Sequence, residues 1–140
     1  MKRSEAREQA FVIVFEKEFN SESTVDEIAA AAKEAELFET DKFAKRLSEA
    51  VFADIEALDK IIVENLRAGW RISRISKVAL AILRMAICEM TQFDDVPVSV
   101  SINEAVELAK KYAPETDARF VNGLLSSVAK KLKAQAEENA

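Results

Sequence analysis

At 140 residues, 49% of them apolar and 32% charged, the chain has the material for one buried core and has neither a disordered nor a membrane-spanning composition. Two glycines and two prolines leave little room for sheet turns, so an all-α fold is expected. One cysteine precludes an internal disulfide, the lack of histidine removes the commonest general base and metal ligand, and a net charge of −5 argues against indiscriminate nucleic-acid binding.

The first helix is expected from Ser4 to Phe19, with Ala10, Phe11, Val14, Phe15 and Phe19 at helical spacing. Lys2, Arg3 and Arg7 make its start basic, against the helix dipole. Thr24 and Glu27 form a capping box for a second, peripheral helix that turns Ile28, Ala32 and Ala35 inward. From Thr40 or Asp41 a long helical pattern runs to Leu66 and stops at Gly69, either as one helix or as two bent near Ala53 to Ala57. Trp70 follows among Arg67, Arg71 and Arg74. A tryptophan so placed either stacks on a base or, more often, closes the end of a core.

A fourth helix starts at Ser73 or Ser76. From Val78 to Met90 it is apolar around most of its circumference, which makes it central. Within it Arg84 needs a partner, and Glu104 is the candidate; Cys88 reads as a buried, inert thiol. The fifth helix begins between Val98 and Ser101, with Ser101 and Glu104 as a second capping box and Glu107 paired with Lys111. Its inner stripe is Val98, Ile102, Ala105, Val106, Ala109 and Tyr112. Pro114 ends it. A last helix from Glu115 to Lys133 buries Phe120 or Val121, Leu124, Leu125, Val128 and Leu132, and residues 134–140 form a polar tail after a single domain spanning 1–133. Gly123, inside that helix, implies close packing against Ala105 or Ala109, or else display of Asn122 to a partner.

Charge is unevenly spread: Glu22 to Asp41 is nearly all acidic, Lys60 to Arg84 nearly all basic. No paired-cysteine spacing and no glycine-rich phosphate loop occurs, and the carboxylates sit on solvent-facing helical positions. The charged start leads into an amphipathic helix, so no secretory leader or membrane span is expected. These features describe a binding protein, with no enzymatic role, metal or cofactor expected.

Several runs in order carry a resemblance: Arg3 with Ala6-Arg7-Glu8 and Ala10; Leu83-Arg84-Met85-Ala86 with Glu89; Val96-Pro97; Ile102-Asn103-Glu104-Ala105-Val106-Glu107-Leu108-Ala109-Lys110; and Phe120-Val121-Asn122-Gly123-Leu124-Leu125. Together they resemble the NusB family of bacterial transcription antitermination factors. The resemblance implies six to seven helices in two small packed bundles. It also implies binding to the boxA element of ribosomal RNA leaders with small-subunit ribosomal protein ten (NusE), within an RNA polymerase antitermination complex of the bacterial cytoplasm. It assigns RNA contact to Lys2, Arg3 and Arg7, with Arg119 as a phosphate contact, Phe120 as a stacking aromatic and Asn122 beside them. The stacking role for Phe120 conflicts with its place in the apolar stripe. Ser4 stands where relatives often carry a second arginine, and Ile87-Cys88 where an aromatic is common. Fewer cations imply weaker RNA binding by the isolated chain. The competing expectation is a helical protein-interaction adaptor with weak or no RNA binding.

Overall fold

The computed structural model describes residues 1–139, in which seven α-helices and one short 3₁₀ turn occur and no strand. They are α1 (Arg3–Phe19), α2 (Val25–Glu34), α3 (Lys42–Ala53), α4 (Ile55–Glu64), the 3₁₀ turn (Ile72–Arg74), α5 (Lys77–Gln92), α6 (Val98–Tyr112) and α7 (Glu115–Glu138). None is long and apolar enough to cross a membrane.

Helices α1, α2 and α3 pack on one another, α4, α6 and α7 pack with α5, and α1 and α3 dock on α5 to join the two bundles. The reason lies in α5, which is buried without interruption from Ala79 to Glu89. A helix apolar on all sides must be covered on all sides. Ile13, Val25 and Ile28 form a small separate core under α2.

Local signals set most boundaries. Thr24 accepts from the Glu27 amide while Glu27 accepts from the Thr24 amide, the expected capping box. Helix α2 ends in a Schellman motif: Leu37 N–H donates to Ala32 O, Glu36 N–H to Lys33 O, and Glu36 takes φ 59, a position that glycine usually fills. Ser76 caps α5. The long third segment is two helices broken at Asp54.

Several expectations are corrected. Helix α4 stops at Glu64, well before Gly69; Gly69, at φ +87, instead serves the tight turn closed by Trp70 N–H donating to Arg67 O. Helix α6 starts behind Pro97 without a side-chain cap, and the Ser101 hydroxyl is buried without a partner, so Ser101 and Glu104 form no capping box. Glu107 pairs with Lys110 rather than Lys111, which reaches Glu8 at 2.7 Å instead. Helix α7 continues past Lys133 to Glu138 on residues that are all exposed.

Arg84 pairs with Asp59 and Glu18, not Glu104. Its Nε and Nη2 donate to the two Asp59 oxygens at 2.8 and 2.9 Å, and Nη1 donates to Glu18. Helices α1 and α4 flank α5 at this level, so each supplies one carboxylate. Burial opposes ionisation of Glu18, but the hydrogen bond and charge of Arg84, with Lys77, outweigh it and hold the carboxyl below its usual range. A depressed carboxyl contributes stability above its unfolded pKa of about 4.3, and loses it as pH falls through the lower folded value. Arg84→Met is therefore expected to cost about 1.5–3 kcal/mol at neutral pH. The gap from the parent chain should close in acid below that window. Denaturant titrations at pH 7 and across the acid range check this; a gap constant with pH would contradict the pairing.

Candidate nucleic-acid interface

The basic start of α1 is divided by the fold. Lys2 and Arg3 are exposed, and the Arg3 guanidinium lies over the Phe43 ring at 4.0 Å. Arg7 is 3% exposed and bound to Glu89 of α5, itself 2% exposed. Its Nε donates to both carboxylate oxygens at 3.0 Å and its Nη2 to Oε1 at 2.7 Å. Glu104 stands 4.0 Å from its other terminal nitrogen. Arg7 is thus withdrawn from the surface where an RNA contact would place it. The physical reason is helical phase: Arg7 lies on the same face as Ala10, Phe11 and Val14, all buried.

Helix α7 turns Val121, Leu124, Leu125 and Val128 into the core and leaves Arg119, Asn122 and Gly123 on the outside. Phe120 lies between. It is half-buried and packs on the main core, yet its ring also stacks on Trp70, with centroids 6.3 Å apart and planes 22° apart. The two expectations for Phe120 meet in one side chain that has a core edge and an outer face. Trp70 is 52% exposed, so it does not close a core end.

Gly123 has no close-packing role. A Cβ built there would meet nothing within 4 Å, neither Ala105 nor Ala109. Glycine in a helix costs about 1 kcal/mol relative to alanine, and here packing does not offset it.

Three shallow clefts lie in succession, each sharing a lining residue with the next. The first, about 350 Å³, lies between α1 and α6, lined by Ser4, Glu8, Glu104 and Lys110 among others. The second, about 500 Å³, lies between α6 and α7 and holds Asn103, Lys110, Arg119 and Asn122. The third, about 480 Å³, lies between α7 and the end of α4, with Arg67, Trp70, Arg119, Phe120 and Gly123. Lys110 is common to the first two and Arg119 to the last two. The structure therefore gathers Arg119, Phe120 and Asn122 on one helix. Lys2 and Arg3 line none of these clefts; they adjoin them only through Ser4.

Residues not singled out for this face are Arg67 and Asn65, and Trp70 stands on it against expectation. Asn65 accepts from Ser127 at 2.6 Å and donates to Ile61 O, and Lys131 Nζ donates to Glu64 O at 3.0 Å. These bonds pin the end of α4 to α7. Among the described residues Arg67, Arg71, Arg74 and Arg119 form no ion pair, whereas Lys110 and Lys111 do.

Glu8, between α1 and α6, is held below the usual carboxylate range by hydrogen bonds from Lys111 and Tyr112. Burial pushes the Cys88 thiol up to about 12, which fits an inert core residue. Among the described residues no cluster of three or more histidine, cysteine or acidic side chains that could hold a metal ion is present.

The model of the NusB family matches residues 4–130. The transcription antitermination protein NusB of Acetivibrio thermocellus is 42% identical over 131 residues, covering 93% of this chain and 90% of that protein. Its counterpart in Listeria monocytogenes serotype 4a is 43% identical over 129 residues, 92% of this chain and 97% of that one. Among solved structures, one of the antitermination factors NusB and NusE in complex with double-stranded RNA contains a chain that superposes with a TM-score of 0.80 at 27% identity, covering 94% of this chain and 99% of that one. With residues 4–130 of its 140 matched by the family model, this chain belongs to the NusB family.

Proposed function

We propose that this chain is a transcription antitermination factor that binds the boxA RNA of ribosomal RNA leaders together with the NusE ribosomal protein, and supports processive rRNA transcription by RNA polymerase in the bacterial cytoplasm. The observation that carries the reading is the joined surface from Ser4 over Lys110 to Arg119, Asn122 and Phe120. It combines cations for phosphates, amides for base edges and an aromatic face for stacking, which single-stranded RNA recognition requires. Lys2, Arg3, Arg119, Phe120 and Asn122 are the contacting set. Arg7 acts from beneath, holding α1 on α5 through Glu89. The acidic segment around α2 repels RNA and keeps the chain from coating it indiscriminately.

The adaptor reading draws on the burial of Arg7 and on Ser4, which leave only Lys2 and Arg3 as free cations at this end. Competition separates the two: labelled boxA RNA bound to the chain, with and without NusE, is challenged with unlabelled boxA or a scrambled sequence of equal length. The RNA reading predicts that boxA competes at least tenfold better when NusE is present. Equal competition by the scrambled RNA would leave only charge-driven binding and overturn the boxA reading, and no retained RNA at all would support the adaptor.

A further inference from the structure

We propose that the start of α3 carries the RNA surface beyond boxA, with Lys42 and Arg46 joining Arg3 on the phosphates of flanking nucleotides. This rests on the RNA-binding reading and extends it to a helix that lines none of the three clefts. Two arginines sit on one buried aromatic pair. Phe43 of α3 and Phe93, just past α5, meet edge to face with ring centroids 5.7 Å apart, and both are buried. The Arg3 guanidinium lies 4.0 Å from the centre of the Phe43 ring, and that of Arg46 lies 4.0 Å from the centre of the Phe93 ring. A guanidinium stacked by its face keeps its in-plane N–H groups for another partner. The stacking also restrains two long side chains in advance, so less freedom is lost when a phosphate arrives.

Carboxylates do not claim these cations. Lys2, Arg3 and Lys42 form no ion pair among the described residues, and Arg46 has only Asp95, at 4.0 Å and without a hydrogen bond. Neighbouring Lys45, by contrast, is engaged by Asp26 at 3.2 Å and by Glu49 at 3.9 Å. Lys42 and Arg46 are both exposed and lie one turn apart on α3, so they share a face. The patch continues the proposed interface. Arg3 is its near end, Ser4 beside it lines the cleft between α1 and α6, and the chain leaving Phe93 runs through Pro97 to Ser99 of the second cleft. Because both rings are buried, the group left for these cations to hold is a phosphate and not a base, which makes the contact blind to sequence.

The test compares boxA RNA with boxA lengthened at one end or the other by unrelated single-stranded sequences. Each RNA is titrated onto the full chain with NusE over a series of salt concentrations. One of the extensions is expected to steepen the slope of log K against log salt by about 1.4, two phosphate contacts at about 0.7 each, whichever flanking sequence is used. Lys42→Gln with Arg46→Gln should remove that increment and leave the binding of boxA alone unchanged. Arg46→Lys, which keeps the charge, should retain it. Lys42→Gln by itself should remove about half of it, and this variant carries the test if uncovering Phe93 lowers the thermal transition of the double variant. Extensions that leave the slope unchanged, or an increment that survives Lys42→Gln and the double variant, would overturn the proposal and leave the boxA reading intact. An increment confined to one flanking sequence would also overturn it, as base reading by another surface. No boxA binding at all would overturn both.

Discussion

Glu89→Ala is expected to lower the unfolding free energy by about 3 kcal/mol, because it strips the buried Arg7 guanidinium of all three hydrogen bonds and leaves it only Glu104, at 4.0 Å. Both side chains are within a few per cent of full burial, and three hydrogen bonds join them across α1 and α5. The double replacement Arg7→Met with Glu89→Leu should recover most of the loss, since an apolar pair of similar volume needs no partner. Urea denaturation of the parent, the single variant and the double variant measures both effects. The double variant also bears on function. If Arg7 acts only by holding α1 against α5, the refolded double variant binds boxA RNA as the parent does. If it loses binding while keeping stability, Arg7 reaches RNA itself.

Leu83→Ala is the second large effect, expected at about 2–5 kcal/mol. Leu83 is fully buried at the middle of α5, the helix on which α1, α3, α4, α6 and α7 all converge. Removing its isobutyl group opens a cavity that neighbours on several sides cannot fill together. The loss should therefore fall in the upper half of that range in a denaturant titration. A cost under 1 kcal/mol would mean that α5 is not the axis of the fold.

Much of this architecture was legible in residue spacing. The apolar circumference of Val78 to Met90 marked α5 as central, and the Thr24–Glu27 pair and Pro114 marked boundaries that the structure keeps. The phase of Val121, Leu124, Leu125 and Val128 also implied that Arg119, Asn122 and Gly123 face outward. Read by phase alone, Gly123 could not pack on α6, and the close-packing expectation overlooked this. Phase likewise placed Arg7 beside Ala10, Phe11 and Val14, a signal for burial that its charge obscured.

What spacing could not supply was the pairing of distant groups. Arg84 plainly needed an acid, but only the placing of α1 and α4 against α5 selects Glu18 and Asp59 over Glu104. Glu89 gave no local sign that its partner lay in α1. Trp70 depended on the turn at Gly69, and no periodicity shows which way a side chain leaves a turn.

The α6–α7 face and the start of α1 are proposed to hold boxA RNA together. The most direct measurement is the boxA association constant in the presence of NusE, taken over a series of salt concentrations for the parent, Arg3→Ala and Arg119→Ala. Each phosphate contact to single-stranded RNA contributes about 0.7 to the slope of log K against log salt. Each substitution is therefore predicted to reduce that slope by about this amount, with the preference for boxA over scrambled RNA retained. Slopes identical to the parent for both variants would contradict the account.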